Sequence, residues 1–512
     1  MDTRLFVRPL DASSVPVWLD SGAIVLARWS PDGTRIVYGK VSGTSTLTGL
    51  YSVPADGSGA PVLLVSLGAG TDLAGAGLST AGNLAITADS TRVVARLNSG
   101  GTTELHGIPI DGGAPELLND PLVSGGQVQW LVGTTSGNEV VYLADALTDE
   151  RYELFAVPGD GSAPPLLLST LAAGQSVVWF GSELPTLAPL GQRVLFHSTP
   201  IGNGSVNGFH SAPTDAGAPS VQLASVAVGH VVTPDGANVV HFRRSGAGRE
   251  HVWSLPVDGS APATVLASVS TGTVSTLGLS PDGLRLFAVN SGGPTQLVTA
   301  HTDGTGDATL LGHALDLSHP PQFSPDSATL AFLEFSLGIQ AMPSDGTQAP
   351  HVVVPFTLPF TSLGRGFRLT DDAVVAHGNL LVSTQDELVV APLAIAGLPA
   401  RLNPPLGAGV EVEDFVVTAG GEHVLASYTK LAGELAEGPA PLHRLRLDLT
   451  DTLEFQEPYP IEVIGDVRAY DAHGGRAVYL ADQDSARVVE LYSRPVSGAG
   501  VPIQLNGALV TG

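Results

Sequence analysis

The sequence contains no cysteine, which excludes disulfides, thiolate nucleophiles and cysteine-ligated zinc. Lysine is nearly absent too, with Lys40 and Lys430 the only two. Basic residues number 23 against 49 acidic ones, and a net charge of −26 repels a nucleic-acid backbone, so neither DNA nor RNA is an expected partner. Charged residues of both signs make up only 14% of the chain, too few for a disordered acidic tail. No run of about 18 or more apolar residues occurs, so no membrane insertion is expected, and Met1-Asp2-Thr3-Arg4-Leu5-Phe6 has no apolar stretch of signal-peptide length. Catalytic signatures are equally scarce: there is no Gly-x-Ser-x-Gly elbow, no phosphate loop and no His-Glu-x-x-His. Ser427-Tyr428-Thr429-Lys430 fits Ser-x-x-Lys in letters only, because on a strand alternation turns Ser427 and Lys430 to opposite faces.

What the chain has in quantity is 62 glycines, 38 prolines and 43% hydrophobic residues, the composition of many short strands joined by turns. Two turn signals alternate along its length. The first is Ser-Pro-Asp-Gly or a relative: Ser30-Pro31-Asp32-Gly33, Ser79-Thr80-Ala81-Gly82, Thr134-Thr135-Ser136-Gly137, Ala188-Pro189-Leu190-Gly191 and Thr233-Pro234-Asp235-Gly236 in the first half. Further copies stand at Ser280, Ser324, Thr370, Thr418 and Ala472. Proline presets φ, aspartate bonds back to the backbone and glycine takes φ > 0, so each copy is a turn with a mechanism. The second signal is a strand ending in Pro-x-Asp-Gly, as at Pro54-Ala55-Asp56-Gly57, Pro109-Ile110-Asp111-Gly112, Pro158-Gly159-Asp160-Gly161, Pro256-Val257-Asp258-Gly259 and Pro343-Ser344-Asp345-Gly346. A proline recurring at one phase marks a strand end.

One unit therefore reads as strand A, Ser-Pro-Asp-Gly turn, strand B, variable loop, strand C, Asp-Gly turn, strand D. Four antiparallel strands repeated roughly every 45 to 55 residues are the signature of propeller blades. The expected fold is all-β: a β-propeller of about ten four-stranded blades over a continuous array of residues 1–512. A single large ring is slightly preferred over two tandem propellers splitting near residue 250. The repeats, notably Trp29 to Tyr38 (WSPDGTRIVY) and Leu50 to Leu64 (LYSVPADGSGAPVLL), resemble those of the TolB-like, WD40-like propeller family and of the propeller domain of prolyl-oligopeptidase-like enzymes. The segment Leu5 to Asp11 is already a C–D hairpin with no A–B partner before it; Ala508-Leu509-Val510 is the candidate strand A for its blade.

In such a blade the A–B and C–D turns share one face, while the B–C and D–A connections share the other. The first set is stereotyped; the B–C loops vary, and variation on a rigid scaffold is where binding specificity sits. The expected binding residues lie in those loops: Asp145, Asp149 and Arg151; the cationic group Arg243, Arg244, Arg249 and His251; and Asp482 with Asp484. These suit a protein or glycan ligand. No calcium loop of Asp-x-Asp-x-Asp-Gly form is present, so no cofactor is expected, with calcium the exception that loop carboxylates would allow. His197, His241 and His377 fall late on strand B of three blades. The chain also resembles the oligogalacturonate lyases in repeat type, and those hold a metal with histidines from several blades.

Three functional expectations follow. The leading one is a non-catalytic binding scaffold of the bacterial cell envelope or exterior, periplasmic, outer-surface or secreted, with a signal or anchor removed. The second is a metal-assisted polysaccharide lyase or hydrolase with a histidine and carboxylate site in the ring mouth. The third is a gating or structural propeller domain of a larger polypeptide.

Overall fold

The computed structural model describes residues 3–9, 13–42, 46–68, 70–74, 82–178, 184–202, 205–225, 227, 229–244, 250–268, 273–291, 295–305, 308–312, 315–316, 318–334, 337–356, 363–378, 386–394, 399–403, 410–419, 421, 423–430, 442–446, 467–473, 475–484, 488–497 and 501–506. Among them there are strands and no helix. Residues 1–7, 17–244 and 253–265 form one compact unit; residues 8–16, 245–252 and 266–512 form another. Ten antiparallel sheets follow in chain order, each here called a blade. They span residues 24–66, 71–117, 128–167, 175–224, 229–268, 273–312, 322–355, 363–401, 410–446 and 467–504. Nine have four or five strands in the order A-B-C-D; the ninth has three among the described residues. A two-stranded hairpin, Thr3–Val7 with Val17–Gly22, precedes them.

The turn signals act as their chemistry requires. In blade 1 the Ser30 hydroxyl donates to the Asp32 carboxylate at 2.6 Å and accepts the Arg35 N–H at 3.0 Å, while Asp32 accepts the Thr34 N–H at 3.0 Å. The same lock recurs at Thr233 and Asp235, Ser280 and Asp282, and Ser324 and Asp326. At the other turn the Gly57 N–H bonds the Pro54 carbonyl at 3.2 Å, with equivalents from Gly112, Gly161, Gly259 and Gly346. Each proline is the last residue of its strand C, where its missing N–H interrupts no ladder. Glycine is demanded there twice over. Gly346 has φ +68°, and a Cβ on it would stand 2.2 Å from the Thr309 hydroxyl of the preceding blade.

The two turns share a face, as expected. The residue after the strand C proline donates its N–H to a carbonyl of the A–B turn in blade after blade: Ala55 to Thr34, Val257 to Ala237, Ser344 to Ala328 and Val496 to Gly475, all at 2.8–2.9 Å. Between blades, alternating strand residues close separate apolar layers, for example Val141, Leu143 and Leu154 against Val194, Phe196 and Ala212. In the second unit Ala331, Leu333 and Ile339 pack in one layer with Val374, Ala376 and Val389.

One expectation is corrected. The A–B turn of blade 2 is not at Ser79–Gly82 but at Thr87-Ala88-Asp89-Ser90, where Thr87 donates to Asp89 at 2.6 Å and accepts the Arg92 N–H at 3.1 Å. Serine in place of glycine conceals this copy, because Ser90 takes the left-handed φ of 61° that the motif reserves for glycine. Its hydroxyl in return accepts the Asp32 N–H of blade 1 at 3.0 Å. Ser327, with φ 66°, does the same for Asp282 in the second unit. Blades 2 and 4 have five strands because strand A is split in two: Thr71–Leu73 and Leu84–Ile86 both pair with Arg92–Ser99, and Gln175–Val177 and Thr186–Leu187 both pair with Arg193–Pro200. The N-terminal hairpin packs Leu5, Val7, Val17 and Leu19 on Ile36, Tyr38 and Val53 of blade 1. Its expected strand A, Ala508-Leu509-Val510, lies outside the described residues.

Candidate functional site

The loop face is built around the first residues of strand C. Glu104, Glu153, Glu387 and Glu490 all stand five residues before the strand-ending proline. Glu153 and Glu387 are each 1% exposed. Arg151 reaches the Glu153 Oε1 at 3.1 Å, and Arg401, from strand D, reaches the Glu387 Oε1 at 2.9 Å. Burial pushes the Glu153 carboxyl up, against the pull of Arg151. Glu490 accepts the Tyr492 hydroxyl at 2.7 Å and also bonds the Gln504 amide. In the same four blades the next backbone N–H is latched by a side chain beyond strand D: Leu105 by Asn119, Leu154 by Ser169, Leu388 by Asn403 and Leu491 by Asn506, at 2.6–2.8 Å. Of these glutamates only Glu387 was expected, as one loop carboxylate among several; the fixed phase and the latches were not. The signal available for them was Glu-Leu recurring five and four residues before Pro109, Pro158, Pro392 and Pro495.

The expected residues fall into distinct settings. Asp145 is 2% exposed and holds its own loop: Oδ1 accepts the Gln127 N–H at 2.6 Å and Oδ2 the Glu150 N–H at 3.1 Å, fixing Glu150 at φ 59°. Asp149 is exposed at the crest of that loop, and Arg151 bonds the Gln175 carbonyl besides Glu153. Asp145, Asp149 and Arg151 thus belong to one loop, with Asp145 and Arg151 each bonded to other groups. Arg243 and Arg244 end strand B of blade 5, with side chains outside the described residues, as is all of Arg249. His251 is half-buried, with Nδ1 2.6 Å from the Ser268 hydroxyl. Asp484 is exposed and Asp482 half-buried, and Asp484 lies close enough to the Tyr492 hydroxyl to raise it, after burial and Glu490.

The three histidines of strand B are placed differently from one another. His377, in the second unit, is 2% exposed, donates to the Val412 carbonyl at 2.7 Å and stacks on Phe415. His197 and His241, in the first unit, both face Phe209, at centroid distances of 4.9 and 6.0 Å. Among the described residues no three His, Asp or Glu side chains are grouped so as to hold a metal ion.

The turn face is chemically uniform by contrast. Most of its carboxylates accept bonds from their own turns, and the Ser30 hydroxyl with the Thr34 N–H holds Asp32 down at about 2. Arginines opening strand B were also missed, and they link adjacent blades. Arg35 meets Asp111 of blade 2 at 2.7 Å, while Arg193 and Arg285 act on Asp258 and Asp345 of the following blades only as more distant charges. A polar cavity of 440 Å³ lies between blades 1 and 2 on this face, lined by Asp32, Arg35, Asp56, Asp89 and Asp111.

Tandem four-stranded sheets, a Ser-Pro-Asp-Gly lock after strand A and a Pro-x-Asp-Gly turn after strand C decide the architecture. The fold is a β-propeller of four-stranded blades. Solved structures similar to this propeller include a putative TolB from Agrobacterium tumefaciens, with 18% identity over 50% of this chain and 84% of that one, at a TM-score of 0.27. The propeller domain of the Trilobed protease from Pyrococcus furiosus is 13% identical over 63% of this chain and 96% of that one, at 0.28. An oligogalacturonate lyase from Vibrio parahaemolyticus is 12% identical over 65% and 93%, at 0.32. No protein-family model matches the propeller, and no curated protein matches it.

Proposed function

We propose that this propeller is a non-catalytic binding scaffold of the bacterial cell envelope or exterior that engages a protein or glycan through its B–C and D–A loops. The observation that carries the reading is the contrast between its faces. On the turn face one hydrogen-bonded device recurs in many blades, with most of its carboxylates engaged by their own turns. On the loop face buried glutamates in blades 3, 8 and 10, with side-chain latches there and in blade 2, frame loops that carry different residues, Asp149 and Arg151 in blade 3 and Asp482 with Asp484 in blade 10, while His251 stands in blade 5 without that frame. A rigid frame carrying variable tips is how propeller and repeat surfaces acquire partners.

The test is a glycan array and a panel of purified envelope proteins, probed with the intact chain and with two variants. Replacing the exposed residues Leu147, Thr148 and Asp149 by Gly-Asn-Gly, with Asp145, Ala146, Glu150 and Arg151 kept, should abolish binding of a ligand held by that loop and leave the melting temperature within a few degrees. The turn-face variant Asp56→Asn/Asp258→Asn should bind as the parent does. Binding lost in the turn-face variant and kept in variants of every loop would refute the reading. Turnover of a polysaccharide on addition of a divalent metal would replace the scaffold by a catalyst.

A further inference from the structure

Blades 4 and 5 meet around a group of imidazoles that the binding face does not use. His197 lies on strand B of blade 4, Arg193–Pro200, directly across from Phe209 on strand C, Gly208–Pro213. His230, on strand A of blade 5, Gly229–Val232, stands directly across from His241 on strand B, Asn238–Arg244. The rings converge: His230 is 5.9 Å from His197 and 4.8 Å from Phe209, centroid to centroid. His210 follows Phe209 on the opposite face of strand C, stacked on Phe196 at 5.2 Å, with Nε2 2.9 Å from the Ser198 hydroxyl. Exposure is 2% for His197, 8% for His210 and 1% for His241. The surrounding layer is apolar, comprising Leu195, Phe209, Leu223, Val239 and Leu255.

We propose that the packing of blade 4 on blade 5 is an acid-sensitive latch, closed while His197 and His230 are neutral and released when they take up protons; His210, on the Phe196 side of strand C, lies toward blade 3 and is not part of it. Six strands contribute to this layer; strand D of blade 4, which brings Leu223, has no titratable group, strand C of blade 5, which brings Leu255, begins with Glu250 and His251, and the groups of the other four are as follows. Strand B of blade 4 contributes His197 and, at its far end, Arg193, which is bonded to Ser211 and faces Asp258 and Asp215. Strand C contributes His210. Strand A of blade 5 contributes His230. Strand B of blade 5 contributes His241 and ends in Arg243 and Arg244, whose side chains lie outside the described residues. His197 is held by the Ala227 backbone, and the charges that act on it are His230 and His210, which repel it once protonated. Burial, reinforced by those two rings, holds His197 at about 4; burial alone holds His210 at about 4 and lowers His230. An imidazole that titrates at about 6.5 when unfolded and about 4 when folded tilts the equilibrium toward the open form by about 30-fold at pH 5.

The experiment compares amide hydrogen exchange of the intact chain at pH 7.0 and pH 5.0, corrected for intrinsic rates, with the same comparison for His197→Asn/His230→Asn. Strands B and C of blade 4 and strands A and B of blade 5 should lose protection at pH 5.0 by tenfold or more while blades 7 and 8 keep theirs, and the double variant should show a much smaller change. Equal loss in parent and variant, or loss spread evenly over all blades, overturns the latch. Should the variant not fold, the ring proton resonances of the parent decide. Rings that stay neutral below pH 6 until exchange rises support it, and rings that titrate near 6.5 with exchange unchanged overturn it.

Discussion

At the scale of the residue, the economy of this chain lies in short side chains that spend their polarity on backbone. Ser280 is 1% exposed, donates to Asp282 at 2.6 Å and accepts the Arg285 N–H at 2.9 Å. Ser280→Ala therefore strands a buried N–H and unlocks the turn, and is expected to cost about 1–2 kcal/mol in denaturant unfolding. The motif made these roles legible in advance, because Ser, Asp and Gly at fixed offsets have only one economical arrangement. What it concealed was the copy at Thr87–Ser90, where the conformation survives with serine at the left-handed position. A serine tolerates that conformation at a cost, and its hydroxyl gains a bond to the neighbouring blade in exchange.

At the scale of the element, strand C carries the loop-face frame. Its first residue is a buried acid in blades 3, 8 and 10, and its second N–H is latched from beyond strand D. Asn403 is fully buried and accepts the Leu388 N–H at 2.6 Å. Asn403→Ala leaves that donor unsatisfied inside the blade and should destabilise the protein by about 1–3 kcal/mol, read from the denaturation midpoint at unchanged slope. Asn403→Ser should recover part of the loss, since Ser169 performs the same task for Leu154 in blade 3. The strand periods and turn positions were readable from sequence to this level. The latch was not, because donor and acceptor are 14 or 15 residues apart and meet only once the C–D hairpin has closed.

At the scale of the whole molecule, stability should fall in two steps as acid is added. The first belongs to the buried imidazoles: their folded values lie below the unfolded 6.5, so the unfolded chain binds more protons, and the stabilisation present above pH 6.5 is lost between there and about 4. The second belongs to turn carboxylates such as Asp32, Asp235 and Asp345, held below their unfolded value by serine or threonine hydroxyls and backbone N–H groups. Their contribution is present above about pH 4 and lost as pH falls through the folded values. Glu153 and Glu411, raised by burial, work in the opposite direction and soften the region near pH 5. Melting temperatures measured from pH 8 to pH 3 should show a decline beginning near 6.5 and a second beginning near 4; a flat profile down to pH 4 would mean that the histidines are not held neutral.

The sequence by itself determined the repeat, the strand order within a blade and the face on which the turns lie, since all of these follow from local φ preferences, proline's missing donor and alternation along a strand. Tertiary structure alone decided what the polar side chains are for. Asp145 could be read as a loop ligand and is found closing its own loop; His377 could be read as a metal ligand and is found bonding Val412. Local chemistry says which groups can donate and accept, but the partner is set by burial and by the neighbouring blade, and neither is written at any single position in the chain.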